Sequence, residues 1–474
     1  MTNKNLTIDQ RKVHNANFGH IYRSSAIFYI PKKIKTTVSV SNYWYFKNKK
    51  KIILLFSLRD KNGNLISREE KLFLNSNVIN SVYNLDKDHS IEIEAFGNEN
   101  LKIPYAAVMV CYETNSSISM LHSYSRNHSL IELESKHAHT IAKESCWTIK
   151  PKFKNKAVFH NGHLEVKPQI GELILTNLFG KDKIVKFKIP TIKPYETIVF
   201  EIDKLFKNYK SFLQNKYGFG TVNFKNNSSF TRLIIIWEDK NKKEFQVTHS
   251  NFDYSKFKTN NIKSIQGGEM VIPKSLNNLN WLGFIVYPKF QKGSYLLHYQ
   301  NKKTYFKTGF IREIQDDTKN LFFYKKNSFE IPSRIVTAIQ GAVKGQIIPF
   351  ECSTGIEHEK SPSVRFRWSM VSGKFDSFIY LSRLNLKRKN SKRKGNRFIF
   401  KLYSRKTKKI LEKIIKYKTS EEGKYVYELK DLFKNAKDFL GSDFGYITFF
   451  DESRNHEMFT SIKKNTSITF EHSF

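Results

Sequence analysis

The chain has 474 residues, 39% of them apolar and 14% aromatic, which excludes a disordered polymer and suggests about three domains with cores of their own. Lys and Arg number 81 against 43 Asp and Glu, and the formal net charge of +38 favours polyanions as partners: nucleic acid, acidic glycan or an anionic membrane surface. Cys111, Cys146 and Cys352 are odd in number and widely spaced, which excludes a disulfide framework and a thiolate zinc site.

The first 25 residues contain no apolar stretch of signal-peptide length, and no run of about 18 apolar residues follows. A soluble, cytoplasmic protein is the expectation, with signal-independent export as the alternative. Strand texture then begins: "AIFYI", "TTVSVSNYWYF" and "IILLFSLRDKNGNLI" are rich in β-branched and aromatic residues. The Asn-Gly pairs in "KNGN" (Lys61 to Asn64) and "HNGH" (His160 to His163) predict tight hairpin turns. Read as a strand, "NYWYF" places Tyr43 and Tyr45 on one face and Trp44 and Phe46 on the other. One pair is expected to face a sugar or base, or else a neighbouring domain.

The middle of the chain echoes its end. "IVFEIDKLFKNYKSFLQNKYGFGTVNF" aligns with "YVYELKDLFKNAKDFLGSDFGYITFF", with Leu205-Phe206-Lys207-Asn208 matching Leu432-Phe433-Lys434-Asn435. The apolar spacing at 205, 206, 209, 212 and 213 predicts one or two helical turns across the end of a sheet. Each copy closes on a His-Ser pair, at His249 and His472, and a looser copy near the start closes at His122. The units predicted are 17–126, 147–254 and 362–474, with 260–350 an additional β region or a degenerate fourth copy.

Counting back by twos places His122, His249 and His472 on the apolar face of their strands. Each is expected to be a neutral, hydrogen-bonded core residue. The alternative is a ligand-binding pocket between domains. His128, His137, His139, His160 and His163 lack partner ligands at metal-binding spacing, so no metal and no cofactor is expected.

The stretch 387–397 carries Lys387, Arg388, Lys389, Lys392, Arg393, Lys394 and Arg397. It is predicted to tip a hairpin, where phosphate or sulfate contacts would be strongly salt-dependent, unless it is a solvated turn. "GAVKGQ" and "YGFGTV" fall short of phosphate-loop and dinucleotide fingerprints, and no nucleophile elbow or H-E-x-x-H occurs.

The expectation is an all-β chain of tandem β-sandwiches, Ig-like or jelly-roll-like, with short helical turns across sheet ends. A non-catalytic binding or scaffold protein for polysaccharide, such as envelope glycan, heads the functional expectations, with Tyr43, Trp44, Tyr45, His122, His249 and His472 as candidate ligand contacts. A polyanion binder acting through 387–397 and an enzyme with an interdomain site are the alternatives.

Overall fold

The computed structural model describes residues 22–97, 107–122, 125–127, 145–226, 229–230, 232–241, 244–252, 267–272, 279–287, 295–299, 302–306, 310–313, 321–325, 336–355, 357–358, 366–384, 395–417 and 424–473. The first unit has eight strands: β1 Tyr22–Ile30, β2 Lys35–Ser41, β3 Ile53–Asp60, β4 Leu65–Lys71, β5 Val78–Tyr83, β6 His89–Gly97, β7 Val108–Glu113 and β8 Ile118–His122. They form two antiparallel sheets, ordered β1-β6-β3-β4 and β5-β2-β7-β8. Only β3–β4 and β7–β8 are hairpins, and every other connection crosses between sheets.

The same order recurs three more times along the chain, starting at Ser145, Gly267 and Arg367. The chain is therefore a set of tandem β-sandwiches. The duplicated apolar segments form the short helices Ile202–Leu205 and Tyr209–Phe212 in the second unit, and Leu429–Leu432 and Ala436–Leu440 in the fourth.

Alternation explains the burial. Strand Gln169–Asn177 buries Gly171, Leu173 and Leu175 while its intervening residues stay half-exposed. Its edge partner Asp182–Ile189 carries Lys183, Lys186 and Lys188, and β4 is almost wholly exposed with Arg68, Glu69 and Glu70. Charged edges of this kind discourage pairing with other chains. Part of the basic excess thus lies on the outer edge of the second unit, whereas β4 is balanced in charge.

The final strands of the four units are β8, Phe245–His249, Phe350–Gly355 and Ser467–His472, and each neighbours the next, the last returning to the first. Backbone N–H groups are satisfied across every seam by side chains of the preceding unit. Ile118 and Met120 donate to Ser467 and Thr469 at 3.2 and 2.7 Å. Phe245 and Val247 donate to Ser117 and Ser119 at 3.0 and 2.9 Å. Ile348 donates to Glu244 at 2.7 Å, and Ile468 to Gln346 at 3.2 Å. All six bonds, spread over the four seams, run in one direction, so the units are joined head to tail and the arrangement closes into a ring.

An outer contact repeats the direction. The β3–β4 turn of the first unit presses on the second, where Lys61 O accepts from Thr197 N at 3.0 Å. Gly63 adopts φ +88, and a Cβ there would lie 2.4 Å from Pro194 O, so both its conformation and its closeness require glycine. In the fourth unit, Lys408 O of the corresponding hairpin accepts from Asn77 of the first at 3.0 Å.

Three local expectations are corrected. "NYWYF" is the helix Tyr43–Asn48, so its side chains spread around a cylinder instead of alternating. "HNGH" connects strands of different sheets and makes no hairpin. Asn161 there donates to Leu164 O and Lys193 O, pinning a crossover, and Gly162 has no positive φ. The basic stretch joins Asp376–Arg383 to Arg397–Tyr403, which also lie in different sheets, so it links two sheets instead of tipping a hairpin. Among the described residues no helix is long and apolar enough to cross a membrane.

Candidate functional site

In three of the four units the final strand carries a histidine to the ring axis, and there His122, His249 and His472 meet. One ring nitrogen from each lies within 4.8 Å of those of the other two. His122 Nε2 and His249 Nε2 are 3.2 Å apart, and the His122 ring stands edge-on to His472 with centroids separated by 4.6 Å. The seam therefore packs the histidines against one another, His122 and His249 buried and His472 partly exposed, and the apolar face that carries them is the face between units. The third unit places Thr354 at the matching position, bonded to Thr337 O γ1 at 3.1 Å through its own hydroxyl.

The far nitrogens are also engaged. His249 Nδ1 faces Ser250 O at 3.0 Å, His472 Nδ1 faces Ser473 O at 3.1 Å, and His122 Nδ1 faces Glu471 Oε1 at 3.1 Å. Glu471 is fully buried, and burial pushes its carboxyl well above the usual range against the opposing His472 N–H bond and Arg232 charge. Arg232, 1% exposed, places Nη1 3.3 Å from His249 Nε2. Sequence reasoning singled out the histidines but not Glu471 or Arg232, although Glu471 is the direct neighbour of His472.

A second buried cluster lies between the second and third units. Lys150 and Glu351 have no exposed side-chain surface and stand 3.6 Å apart. Lys150 Nζ donates to Pro349 O at 2.9 Å and sits 3.6 Å from the centre of the Trp237 ring. Tyr287 OH donates to Glu351 Oε1 at 2.5 Å. Burial lowers Lys150 to about 8 and raises Glu351, each shift being opposed by the other's charge. Two titratable groups with displaced pKa values thus converge between units, but they are sealed from solvent. Neither was singled out in the sequence, because a lone Lys and a lone Glu 201 positions apart carry no motif.

The aromatic candidates separate. Trp44 is fully buried, while Tyr43 packs against Trp368 of the fourth unit at 6.0 Å. Tyr45 is 42% exposed, with Lys49 Nζ 4.9 Å from its ring centre. It borders a groove of about 770 Å³ at the seam of the first and fourth units, lined by Lys51, Phe73, Phe96 and Asn77 of the first and Lys408 of the fourth.

Of the basic stretch, Arg397 is engaged with Glu452 at 2.5 Å. Lys387, Arg388, Lys389, Lys392, Arg393 and Lys394 lie outside the described residues, as do His128, His137 and His139. His160 is buried with Nδ1 2.9 Å from Thr197 Oγ1, and desolvation lowers it to about 3.

No family model matches the chain, and no curated protein matches it. Among solved structures, it has 7% identity to a calcium-binding mutant of Bacteroides uniformis beta-glucuronidase 2, with a TM-score of 0.12, covering 49% of this chain and 26% of that one. It has 7% identity to a tetra-tandem repeat in the extending region of a large adhesion protein, with a TM-score of 0.09, covering 89% of this chain and 91% of that one. The chain spans about a quarter of the first protein's length.

Proposed function

We propose that the protein is a non-catalytic binding scaffold whose ring of sandwiches presents the groove beside Tyr45 to a polysaccharide bearing acidic groups. The observation that carries this reading is the make-up of the groove. An exposed tyrosine face suits stacking on a sugar ring, Asn42 supplies an amide, and Lys51 and Lys408 place cations from two units at its rim. The overall charge of +38 would draw such a ligand in.

The test is a salt-series titration of the intact protein with an acidic polysaccharide, a neutral one and duplex DNA. Tyr45→Ala is expected to weaken acidic glycan about 2- to 12-fold, from the ~0.5–1.5 kcal/mol typical of an aromatic contact. Lys51→Glu with Lys408→Glu is expected to reduce the salt slope. Tighter binding of duplex DNA, indifferent to Tyr45, would favour the nucleic-acid alternative and overturn this one.

A further inference from the structure

We propose that His122, His249 and His472 form a site for a late first-row divalent ion, zinc being the best match, which binds three units of the ring at its axis. The inference is independent of the groove and of its ligand.

Three features of the cluster support it. Imidazoles bound to one tetrahedral zinc at about 2.0–2.1 Å place their nitrogens about 3.3 Å apart. The His122 Nε2 to His249 Nε2 separation is 3.2 Å, and the third ring offers a nitrogen within 4.8 Å of both. The outer nitrogens supply the second feature. Metal-bound histidines donate the other ring N–H to a carboxylate or a backbone carbonyl, which fixes tautomer and orientation. Two rings have such an acceptor, Ser250 O for His249 and Ser473 O for His472, and the Glu471 carboxyl lies 3.1 Å from His122 Nδ1 without the alignment of a hydrogen bond.

The third feature is provenance. The histidines come from three separate sandwiches, so their meeting is a product of ring closure and not of any local motif. At the fourth position stands Thr354, which is no histidine equivalent in charge or ligand strength. Three imidazoles plus water make up a common zinc coordination set, with no fourth protein ligand needed.

Arg232 is the competitor. Its Nη1 stands 3.3 Å from His249 Nε2, the same atom that would face the metal, so that contact must yield when the ion enters. Removing the guanidinium should therefore tighten metal binding, whereas a purely structural histidine cluster would merely be weakened by its loss.

The experiment uses the full chain, stripped with chelator and titrated with Co²⁺ and then Zn²⁺. One equivalent of Co²⁺ is expected to give the visible absorption of a tetrahedral nitrogen-ligated ion, displaced by Zn²⁺. His249→Gln and His472→Gln should each lower Zn²⁺ affinity at least about 100-fold, beyond the 10–100-fold typical of losing an outer partner. Arg232→Met should raise it. A wild-type chain that gives no tetrahedral Co²⁺ spectrum overturns the proposal without any variant needing to fold. Unchanged one-to-one binding in the histidine variants overturns it too, since the ion would then sit on other histidines.

Discussion

Two kinds of seam in the same ring solve the same problem with different chemistry. Three residues before the histidine position, the final strands carry Ser119, Gln246, Glu351 and Thr469, and only the third can bear charge. Where the fourth unit meets the first and the first meets the second, neutral hydroxyls cap backbone N–H groups. Each such bond contributes about 1 kcal/mol net. Between the second and third units, Glu351 faces Lys150 with both side chains fully buried. Burying two charges costs several kcal/mol each, and their attraction only about offsets this. The hydroxyl seams tolerate imperfect partners, whereas the ionic seam strongly penalises a wrong one. An ionic seam is thus suited to selecting which unit follows which, even where it adds little stability.

The largest effect should come from breaking that pair. Lys150→Met leaves Glu351 buried without its cation, and the expected loss is about 3–5 kcal/mol of unfolding free energy in urea titration. Lys150→Met with Glu351→Gln should recover most of it. A double variant as unstable as the single would show that the seam depends on the pair for stability and not for selection.

The next effect sharpens the neutral side. His160 braces Thr197, which donates its backbone N–H to Lys61 O across the seam of the first and second units. Its folded pKa is about 3, below the ordinary 6.5, so the unfolded chain binds the extra proton as pH falls. The stability contributed by neutral His160 is complete above pH 6.5 and is lost progressively toward pH 3. By pH 4.5 the loss should be roughly 2–3 kcal/mol. The measurement is the urea midpoint against pH for wild type and His160→Gln, and the variant should show the shallower fall between pH 6.5 and 4.5.

The smallest effect tests a single hydroxyl. Thr469→Val keeps the shape but leaves the Met120 N–H without its 2.7 Å acceptor. A loss of about 1–2 kcal/mol is expected, read as a lower denaturant midpoint with an unchanged slope. A loss as large as that of Lys150→Met would erase the distinction between the two kinds of seam.

Much of the fold was legible because it is local. Alternating apolar residues and Asn-Gly turns such as Lys61 to Asn64 set strands and hairpins, and the repeated Leu-Phe-Lys-Asn segment marked the helical turns. "NYWYF" misled because five residues of mixed aromatics fit a period of 2 or of 3.6 equally well, and only packing against Trp368 and Tyr403 decides between them. The candidate site was half legible. The His-Ser echo identified three of its side chains, yet their meeting depends on contacts between residues such as Met120 and Thr469, 349 positions apart. Serine and threonine are ordinary strand residues, so nothing in their type announces a seam. The third unit stayed obscure because Thr354 stands where the echo would require histidine.

Closure of the ring also bears on how the molecule comes apart. In an open array of repeats the terminal members have one neighbour each, and they loosen first. Here the first unit is held by the second and the fourth alike, so fraying has no favoured starting point. Opening any one seam leaves every unit still held by another, and loss of structure should become a shared event instead of a peeling from one side.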